Sequence, residues 1–384
     1  MGLKENDLII HNDVQLDFDD VLIAPQTTTI NHRGEVDVVR EYKQLIEKCQ
    51  KDSITYIKGC PIISSNMTQT GTFEVAEKLL ANKCFASLHK FYSASNIIAW
   101  MNRHNCEDWH NLFITVGIRD KEKEINKLTA IKVAGSHFSI LVDVPNAYIP
   151  NVLEYIKELR NLFPENIIAV GNVCSGDETQ KLILAGANLV KVGIGPSQVC
   201  DTRIKTGCGR PQLSAIIECA NAAHQVGGLI IADGGFKSPG DICKALVAGA
   251  DICMSGSLFA GCDEASGGII TKCYKTGEYS IAIDSDFVPG RVVSVADKPI
   301  YEFKKYKEYY GMSSFRAQKE NYGKVTTTGT SEGVECKLIP YTGPIQDTID
   351  DIKGSLRSCG SYIGAKNIKT FSRQGMFYKV NRIK

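Results

Sequence analysis

The sequence lacks the features that mark membrane, secreted and nucleic-acid-binding proteins. None of its apolar runs approaches the roughly 20 residues of a membrane-spanning helix, and its first twenty residues hold no basic region followed by an apolar core. The 44 lysines and arginines nearly balance the 43 aspartates and glutamates, for a formal net charge of +1. Because so small a charge attracts no polyanion over a distance, we expect a cytoplasmic protein that binds a small molecule, with neither nucleic acid nor a membrane as partner.

Motifs for metal sites, dithiols and dinucleotides are also missing. No C-x-x-C pair occurs among the 14 cysteines, and no H-E-x-x-H motif occurs, which argues against structural zinc and a thioredoxin-type dithiol. The cysteines are scattered through a long chain, so we expect reduced thiols rather than a disulfide scaffold. No G-x-G-x-x-G follows an apolar run. A dinucleotide, if used, would therefore not be held by a Rossmann unit.

Eight short apolar runs rich in valine and isoleucine are present, and segments with apolar residues at helical spacing lie between them. The runs end at Met67, Lys90, Ile118, Val144, Val173, Ile194, Gly235 and Ser257. Parallel strands buried on both faces give such runs, and eight strand and helix units are the number that closes a barrel. The sequence thus predicts an α/β fold, a (β/α)8 TIM barrel. A doubly wound open sheet shares the alternation and is the alternative.

A long excursion follows the eighth run. Residues 262–330 include the lysine- and tyrosine-rich "PIYEFKKYKEYYG", and helical spacing resumes only in "GPIQDTIDDIKGSLRSC" near the end. Long loops inside compact domains are usually functional. We expect a single barrel domain over residues 1–384, with an active-site flap and an additional insertion at about 262–330. A partly disordered surface loop is the alternative.

The candidate reactive groups follow the later runs, where barrel enzymes carry their chemistry. Cys200 lies in a glycine-rich loop after the sixth run, and Arg203 is close enough in sequence to favour the nucleophilic thiolate. Cys208 in the same loop is the competing candidate. The seventh and eighth runs end in "ADGG" and "SGS", whose glycines favour a phosphate site, although "ADGG" is also typical of a tight turn. A phosphorylated small molecule is the expected ligand.

Longer segments resemble the family that contains IMP dehydrogenase and GMP reductase. The stretch "GIGPSQVCDTRIKTGCGRPQLSAIIECANAAH" is similar to the active-site loop of that family and the helix that follows it. Further similar segments are "LDFDDVLIAPQ", "NMTQTGTFEVA", "LHKFYS", "IIADGGFKSPGDICKALVAGAD", "YGMSS", "SEG" and "LRSCGSYIGA". The resemblance covers nearly the whole chain apart from the insertion.

Within the family, the sequence resembles the reductase branch. The interval between Lys90 and Ser139 is too short for the regulatory CBS domain usual in dehydrogenases, and Arg316 is separated from Tyr322, whereas dehydrogenases activate water with an adjacent Arg-Tyr pair. The resemblance implies an oxidoreductase of purine metabolism and salvage, a homotetramer that uses NADPH to convert GMP to IMP and ammonia. The alternatives are an IMP dehydrogenase without its CBS domain, a reductase of a related purine (deoxy)nucleotide, and a non-enzymatic nucleotide-binding regulator.

The resemblance also implies roles for individual residues. Cys200 would form a covalent thioimidate with the guanine ring, and Thr202 with Glu332 would protonate the departing amine. The residues implied for substrate are Asp233, Gly234, Gly235, Gly256, Ser257, Gly311, Met312, Ser313, Ser331 and Gly333. Those implied for NADPH are Arg33, Lys90 and Asp143, with Ser358, Cys359, Gly360 and Ser361 of a neighbouring subunit. Those implied for a K⁺ ion, mainly through backbone carbonyls, are Gly195, Ser197, Cys200 and Arg203.

Several positions depart from the family pattern. Asp201 stands where the family usually has threonine, and its carboxylate could disfavour the neighbouring thiolate. Thr328 and Gly329 replace a Tyr-Arg pair of the reductase flap, which removes groups that contact cofactor and nucleotide. Pro145 replaces a small residue at a strand end that faces the cofactor. These departures bear on affinity and on which nucleotide is preferred.

Overall fold

The computed structural model describes residues 13–45, 54–104, 109–282, 294–323, 325 and 330–381. Most of the strands coincide with the apolar runs of the sequence. In chain order the strands are β1 (Val21–Ile23), β2 (Arg40–Leu45), β3 (Ile54–Ser64), β4 (Cys84–Leu88), β5 (Leu112–Val116), β6 (Ser139–Asp143), β7 (Ile168–Val173), β8 (Leu189–Val192), β9 (Leu229–Asp233), β10 (Ile252–Ser255), β11 (Ile269–Ala282), β12 (Ser294–Tyr309), β13 (Lys337–Pro340) and β14 (Phe377–Lys379).

Strands β3 to β10 form a closed parallel barrel. Each pairs with the next in chain order, and β10 also pairs with β3, where Cys253 lies opposite Ile62. Seven of the eight apolar runs contain one of these strands whole, and the first, residues 60–67, overlaps the carboxyl end of β3. The predicted (β/α)8 TIM barrel is therefore confirmed, and the doubly wound sheet is excluded because an open sheet has no such closing pair.

Helices connect the barrel strands and cover the barrel. In chain order they are α1 (Phe73–Ala81), α2 (Ala94–Met101), α3 (Lys121–Val133), α4 (Pro150–Leu162), α5 (Gly176–Leu184), α6 (Thr202–Thr206), α7 (Gln212–Gln225), α8 (Pro239–Val247), α9 (Ser257–Ala260), α10 (Phe315–Tyr322), α11 (Ile345–Ile363) and α12 (Phe371–Gln374). Short 3₁₀ helices span Phe18–Asp20, Arg33–Glu35, Trp109–Asn111 and Ile368–Thr370.

Helical periodicity in the sequence corresponds to a buried face in the structure. In α4, Val152, Ile156 and Leu159 recur at helical spacing and are all buried. Pro150 begins that helix, where its missing N–H leaves no hydrogen bond unmade. Within the described part of the chain, we find no helix that combines the length and the apolar character needed to cross a bilayer.

Two apolar layers explain why the barrel strands are apolar throughout rather than at alternate positions. Side chains of one layer fill the barrel, and those of the other pack between strands and helices. In β6, Leu141 belongs to the inner layer, whereas Ile140 and Val142 belong to the outer one. Because successive side chains of a strand point to opposite faces, burial of both faces removes the polar half of the pattern.

Residues 262–330, predicted as flap and insertion, contain a long antiparallel pair. Strand β11 pairs with β12, and β13 adds to the other edge of β12. Residues 283–293 between the paired strands, and the departures at Thr328 and Gly329, lie outside the described residues. Sequence reasoning missed these strands because their lysines and tyrosines give no apolar run.

The buried side chain of Asp251, just before β10, links the amino end of the barrel to β2, the strand that precedes the barrel. Asp251 is 1% exposed, accepts the backbone N–H of Ile230 at 2.9 Å and forms ion pairs with Arg40 and His224, each at 2.9 Å. The hydrogen bond with Asp251 raises the pKa of His224. The Tyr42 hydroxyl donates to the carbonyl of the same aspartate at 2.8 Å.

Replacing Asp251 by alanine should lower the free energy of unfolding by about 3 kcal/mol, because removing one member of a buried ion pair leaves the others uncompensated. The exposed pair of Lys157 and Glu154, at 2.9 Å, offers a matched control, and Glu154→Ala should cost less than about 1 kcal/mol. Urea unfolding of both variants measures the difference. Equal losses would show that Asp251 does not act as a buried charge.

Candidate active site

The loop after β8 places the predicted nucleophile in a line of polar contacts. The Cys200 thiol donates to Thr202 Oγ1 at 3.2 Å, and the Thr202 hydroxyl donates to Glu332 Oε2 at 2.9 Å. All three side chains are partly exposed, so a ligand can reach them. A thiol, a hydroxyl and a carboxylate in this order form a path along which a proton can move. The structure thus brings together the three residues expected to carry the chemistry.

Backbone hydrogen bonds hold the segment around Glu332 against that loop. The Asp201 N–H donates to the Glu332 carbonyl at 2.7 Å, and the Val334 N–H donates to the Val199 carbonyl at 3.0 Å. Cys200 and Gly333 form an isolated antiparallel bridge. The contact between residues far apart in sequence is therefore made by the main chain.

The other residues predicted for substrate lie on both sides of this contact. The Gly311 N–H donates to the Val334 carbonyl at 2.9 Å, and the Thr68 hydroxyl lies 3.6 Å from Met312 Sδ. Ser313 precedes α10 in a turn, and the Ser331 hydroxyl donates to the Gly333 carbonyl at 2.9 Å. These residues therefore gather beside Cys200.

Glycines directly follow the last two barrel strands, β9 and β10, where the sequence predicted a phosphate site. Gly234 and Gly235 have φ values of +81° and +86°, a region that favours glycine, so the tight turn and a site with exposed backbone are compatible. A Cβ on Gly256 would overlap the Tyr309 hydroxyl and lie 2.7 Å from Ser65 Oγ. Tyr309 is 1% exposed, and burial raises its pKa. A neutral hydroxyl thus lies beside the end of β10, where Ser257 begins α9.

A chain of charged groups crosses the carboxyl end of the barrel. Lys191 Nζ lies 2.9 Å from Asp143 Oδ1 and 3.1 Å from Asp233 Oδ2. The Asn172 amide donates to the same Asp233 oxygen at 2.8 Å, and Lys90 Nζ lies 3.9 Å from Asp143 Oδ2. Desolvation alone would raise the pKa of Asp143, but Lys191 and Lys90 outweigh it and lower the pKa to about 2. The two carboxylates predicted for nucleotide and cofactor are thus connected.

The residues predicted for NADPH fall in two places. Lys90 and Asp143 meet at the carboxyl ends of β4 and β6, whereas Arg33 lies in a 3₁₀ helix that packs on α11. On α11, Ser358 and Cys359 line a cleft of about 410 Å³. Gly360 packs closely on the residue that follows the Arg33 3₁₀ helix, because a Cβ on Gly360 would lie 2.6 Å from Val36. The Ser361 hydroxyl donates to the Ser358 carbonyl at 2.7 Å.

The loop predicted to hold K⁺ offers neutral oxygen atoms. The Ser197 carbonyl accepts the Cys200 N–H at 3.1 Å, which turns the loop back on itself, and Gly195 has a φ of +82°. The Arg203 guanidinium donates to the Ile194 carbonyl at 3.3 Å and pairs with Asp17 at 3.4 Å, so only its backbone oxygen could serve as a ligand. Backbone carbonyls are the donors that proteins use for K⁺, so the donor set fits the ion.

Lys191, Asn172 and Tyr309 are candidate site residues that sequence reasoning missed. Lys191 had a usable signal, because a lysine in the middle of the apolar "LVKV" strand must be paired when both faces are buried. Tyr309 lies among many aromatic residues, and Asn172 is one polar residue at a strand end. For those two the sequence holds no distinguishing signal.

Fold and site define a class: a (β/α)8 barrel whose carboxyl-end loops bring a thiol, a hydroxyl and a carboxylate into contact. A family model described as "IMP dehydrogenase / GMP reductase domain" matches residues 15–283 and 272–383. The chain therefore belongs to the IMP dehydrogenase / GMP reductase family, as its resemblance predicted, and is an oxidoreductase enzyme.

Relatives in this family align with almost the whole chain. The chain is 38% identical over 374 residues to a GMP reductase of Caenorhabditis elegans. That alignment covers 97% of this chain and 94% of the relative. The chain is 38% identical over 377 residues to GMP reductase 2 of Homo sapiens, which covers 97% and 96%. A GMP reductase of Photobacterium profundum is 36% identical over 375 residues, again covering 97% and 96%.

His89, next to Lys90, is a half-buried titratable group at the same end of the barrel. Its ring stacks on Tyr92 with centroids 4.0 Å apart, and its Nδ1 accepts the Phe91 N–H at 3.3 Å. Burial lowers its pKa to about 4 from an unfolded value of 6.5. The His89 imidazole therefore becomes protonated at a higher pH in the unfolded chain than in the folded protein. As a result, the free energy of unfolding falls as the pH drops from 6.5 towards 4.

Replacing His89 by phenylalanine, which can keep the stack on Tyr92, should reduce this acid sensitivity. Between pH 6.5 and 4 the variant should lose about 3 kcal/mol less unfolding free energy than the unchanged chain, since one pKa unit is about 1.4 kcal/mol. Urea unfolding at several pH values measures both slopes. Parallel slopes would contradict a partly desolvated His89 imidazole that stays neutral in the folded protein.

Proposed function

We propose that this protein is a GMP reductase, which uses NADPH to convert GMP to IMP and ammonia. The observation that carries the proposal is the continuous contact from Cys200 through Thr202 to Glu332, at 3.2 and 2.9 Å. Relatives named GMP reductase, 35% to 38% identical over 97% of the chain, support the choice of substrate.

In the proposed reaction the Cys200 sulfur attacks C2 of the guanine ring while its proton passes to Thr202. The Thr202 hydroxyl in turn gives its proton to Glu332, so the carboxyl group then holds a proton for the amino group at C2. When the amine departs as ammonia, the C2–N bond breaks and a thioimidate joins C2 to the sulfur. This divides one difficult displacement into two steps. Bound NADPH supplies a hydride to C2, and the sulfur leaves as thiolate when IMP is released.

The nucleotide would lie between the ends of β8, β9 and β10 and the flap segments. The described contacts of the Asp233 carboxylate fall on Oδ2, so Oδ1 can accept the ribose hydroxyls. The phosphate would contact Tyr309 and the backbone of a group at the ends of β9 and β10, namely Gly234, Gly235, Gly256 and Ser257. The base would lie against the flap residues Gly311, Met312, Ser313, Ser331 and Gly333.

The cofactor would be shared between two subunits of a homotetramer. Lys90 and Asp143 lie beside the nucleotide site and would hold its nicotinamide end. Arg33 packs with α11, on which Ser358 and Cys359 line a separate cleft, with Ser361 and the buried Gly360 next to them in sequence. We therefore group Arg33 with those four residues as the part supplied by the neighbouring subunit. Its guanidinium could pair with a phosphate of NADPH.

A K⁺ ion would be bound by the carbonyl oxygens of Gly195, Ser197 and Cys200, with the Arg203 carbonyl as a further ligand. There it would hold the nucleophile's loop in shape. Residues 1–384 would form one domain, without a CBS domain, in the cytoplasm. The flap supports reduction rather than water activation, because Glu308 and Glu320 hold Arg316 in ion pairs at 2.9 and 3.0 Å, while Tyr322 packs on Phe91.

Replacing Cys200 by alanine should abolish GMP-dependent NADPH oxidation, because it removes the sulfur that forms the proposed covalent intermediate. Cys208→Ala is the matched control: this exposed cysteine lies in the same loop, and its loss should leave the rate unchanged. NADPH absorbance in potassium buffer, with IMP and ammonia quantified, measures both. If IMP instead reduces NAD⁺, the protein is a dehydrogenase. If a purine deoxynucleotide reacts far better than GMP, the substrate is different.

Replacing Glu332 by glutamine should lower kcat by about 100-fold or more, the usual contribution of a general acid or base. Glu302→Gln is a control from the same insertion, since Glu302 is exposed and pairs with Lys304 at 3.1 Å on β12; its loss should leave kcat unchanged. Steady-state rates with GMP measure both variants. Equal effects would assign Glu332 a merely structural role.

A further inference from the structure

Lys191 connects two carboxylates that the proposed function assigns to different ligands. It extends from β8, is only 3% exposed, and divides its hydrogen bonds between Asp143 at 2.9 Å and Asp233 at 3.1 Å. Asp143 ends β6 and Asp233 ends β9, so the ammonium group joins strands from two sides of the barrel. These contacts differ from a surface ion pair, because water has almost no access to the Lys191 side chain.

Both carboxylates are oriented by this one ammonium group. Both lie about 3 Å from one nitrogen, so without this cation two carboxylates would face each other with no positive charge between them. Lys90 cannot replace Lys191, since it approaches only Asp143, at 3.9 Å, and is more exposed. Asn172 orients Asp233 but is neutral. Asp143 and Asp233 together raise the pKa of Lys191, although desolvation alone would lower it.

We propose that Lys191 is a positioning residue for both ligands: it orients Asp233 towards the nucleotide ribose and Asp143 towards the cofactor. Because Asp233 Oδ2 and Asp143 Oδ1 both bind the ammonium, Asp233 Oδ1 is left for the ribose, while Asp143 Oδ2 faces Lys90 Nζ at 3.9 Å on the side assigned to the cofactor. This inference rests on the proposed function. It adds that one buried side chain, which touches neither ligand, sets the affinity for both.

The test compares Lys191→Met and Lys191→Arg, with Kd measured separately for GMP by calorimetry and for NADPH by fluorescence. Loss of one member of a buried charge group weakens binding strongly, so Lys191→Met should raise both Kd values by about tenfold or more. Arginine keeps the positive charge and can contact two carboxylates, so Lys191→Arg should recover most of both affinities. If Lys191 only filled space, Lys191→Arg would not recover the two affinities better than Lys191→Met.

Lys307→Met is the matched control for removing a buried lysine. Lys307 is 2% exposed, but its Nζ donates to the backbone carbonyls of Cys262 and Ala265, at 2.7 and 2.6 Å, away from both carboxylates. Lys307→Met should leave the Kd values for GMP and for NADPH both unchanged. A Lys191→Met protein that weakens only one ligand, or neither, would overturn the inference.

Asp143→Asn tests the connection without removing the lysine. The change weakens the hold on Lys191 from the cofactor side, so the GMP Kd should change even though Asp143 is assigned to NADPH; an unchanged GMP Kd would contradict the connection. This variant also decides the matter if Lys191→Met fails to fold. Failure of the proposed function is distinguishable, because then the unchanged chain itself would not bind GMP and NADPH.

Discussion

The pairing of β10 with β3 is the constraint on which the site depends. It closes eight parallel strands into a ring, and a closed ring brings all carboxyl ends to one face. Asp143, Lys191 and Asp233 come from β6, β8 and β9, and the curvature of the closed ring turns their side chains towards one another, so that Lys191 bonds to both carboxylates. Both faces of each strand are buried to achieve this, so the framework is rigid where the chemistry occurs.

On this rigid ring, the reactive group is completed by a segment from a distant part of the chain. Cys200 and Thr202 follow a barrel strand, but Glu332 arrives after the long β11 and β12 pair. Main-chain hydrogen bonds between the two segments position the carboxylate. The barrel thus supplies the nucleophile and the binding carboxylate, whereas the flap supplies the group that handles protons.

The barrel itself could be predicted from the sequence because burial on both strand faces produces apolar runs that are easily counted. Cys200 and the terminal glycines could be located for the same reason, since their positions follow from where the runs end. The contact of Thr202 with Glu332 could be named only through the family resemblance, because no local pattern relates residues 130 positions apart. The lysine-rich β12 and the partners of Lys191 could not be predicted, because cross-strand contacts depend on register.

The bridge between Cys200 and Gly333 has a consequence for how far this loop can diverge in sequence. At position 201 the group that bonds to the flap is the amide N–H, with the Glu332 carbonyl as acceptor. Every residue except proline supplies that donor. Any side chain other than that of proline can therefore stand at position 201 without disturbing this join, so the charge beside the nucleophile can change while the main-chain contact stays.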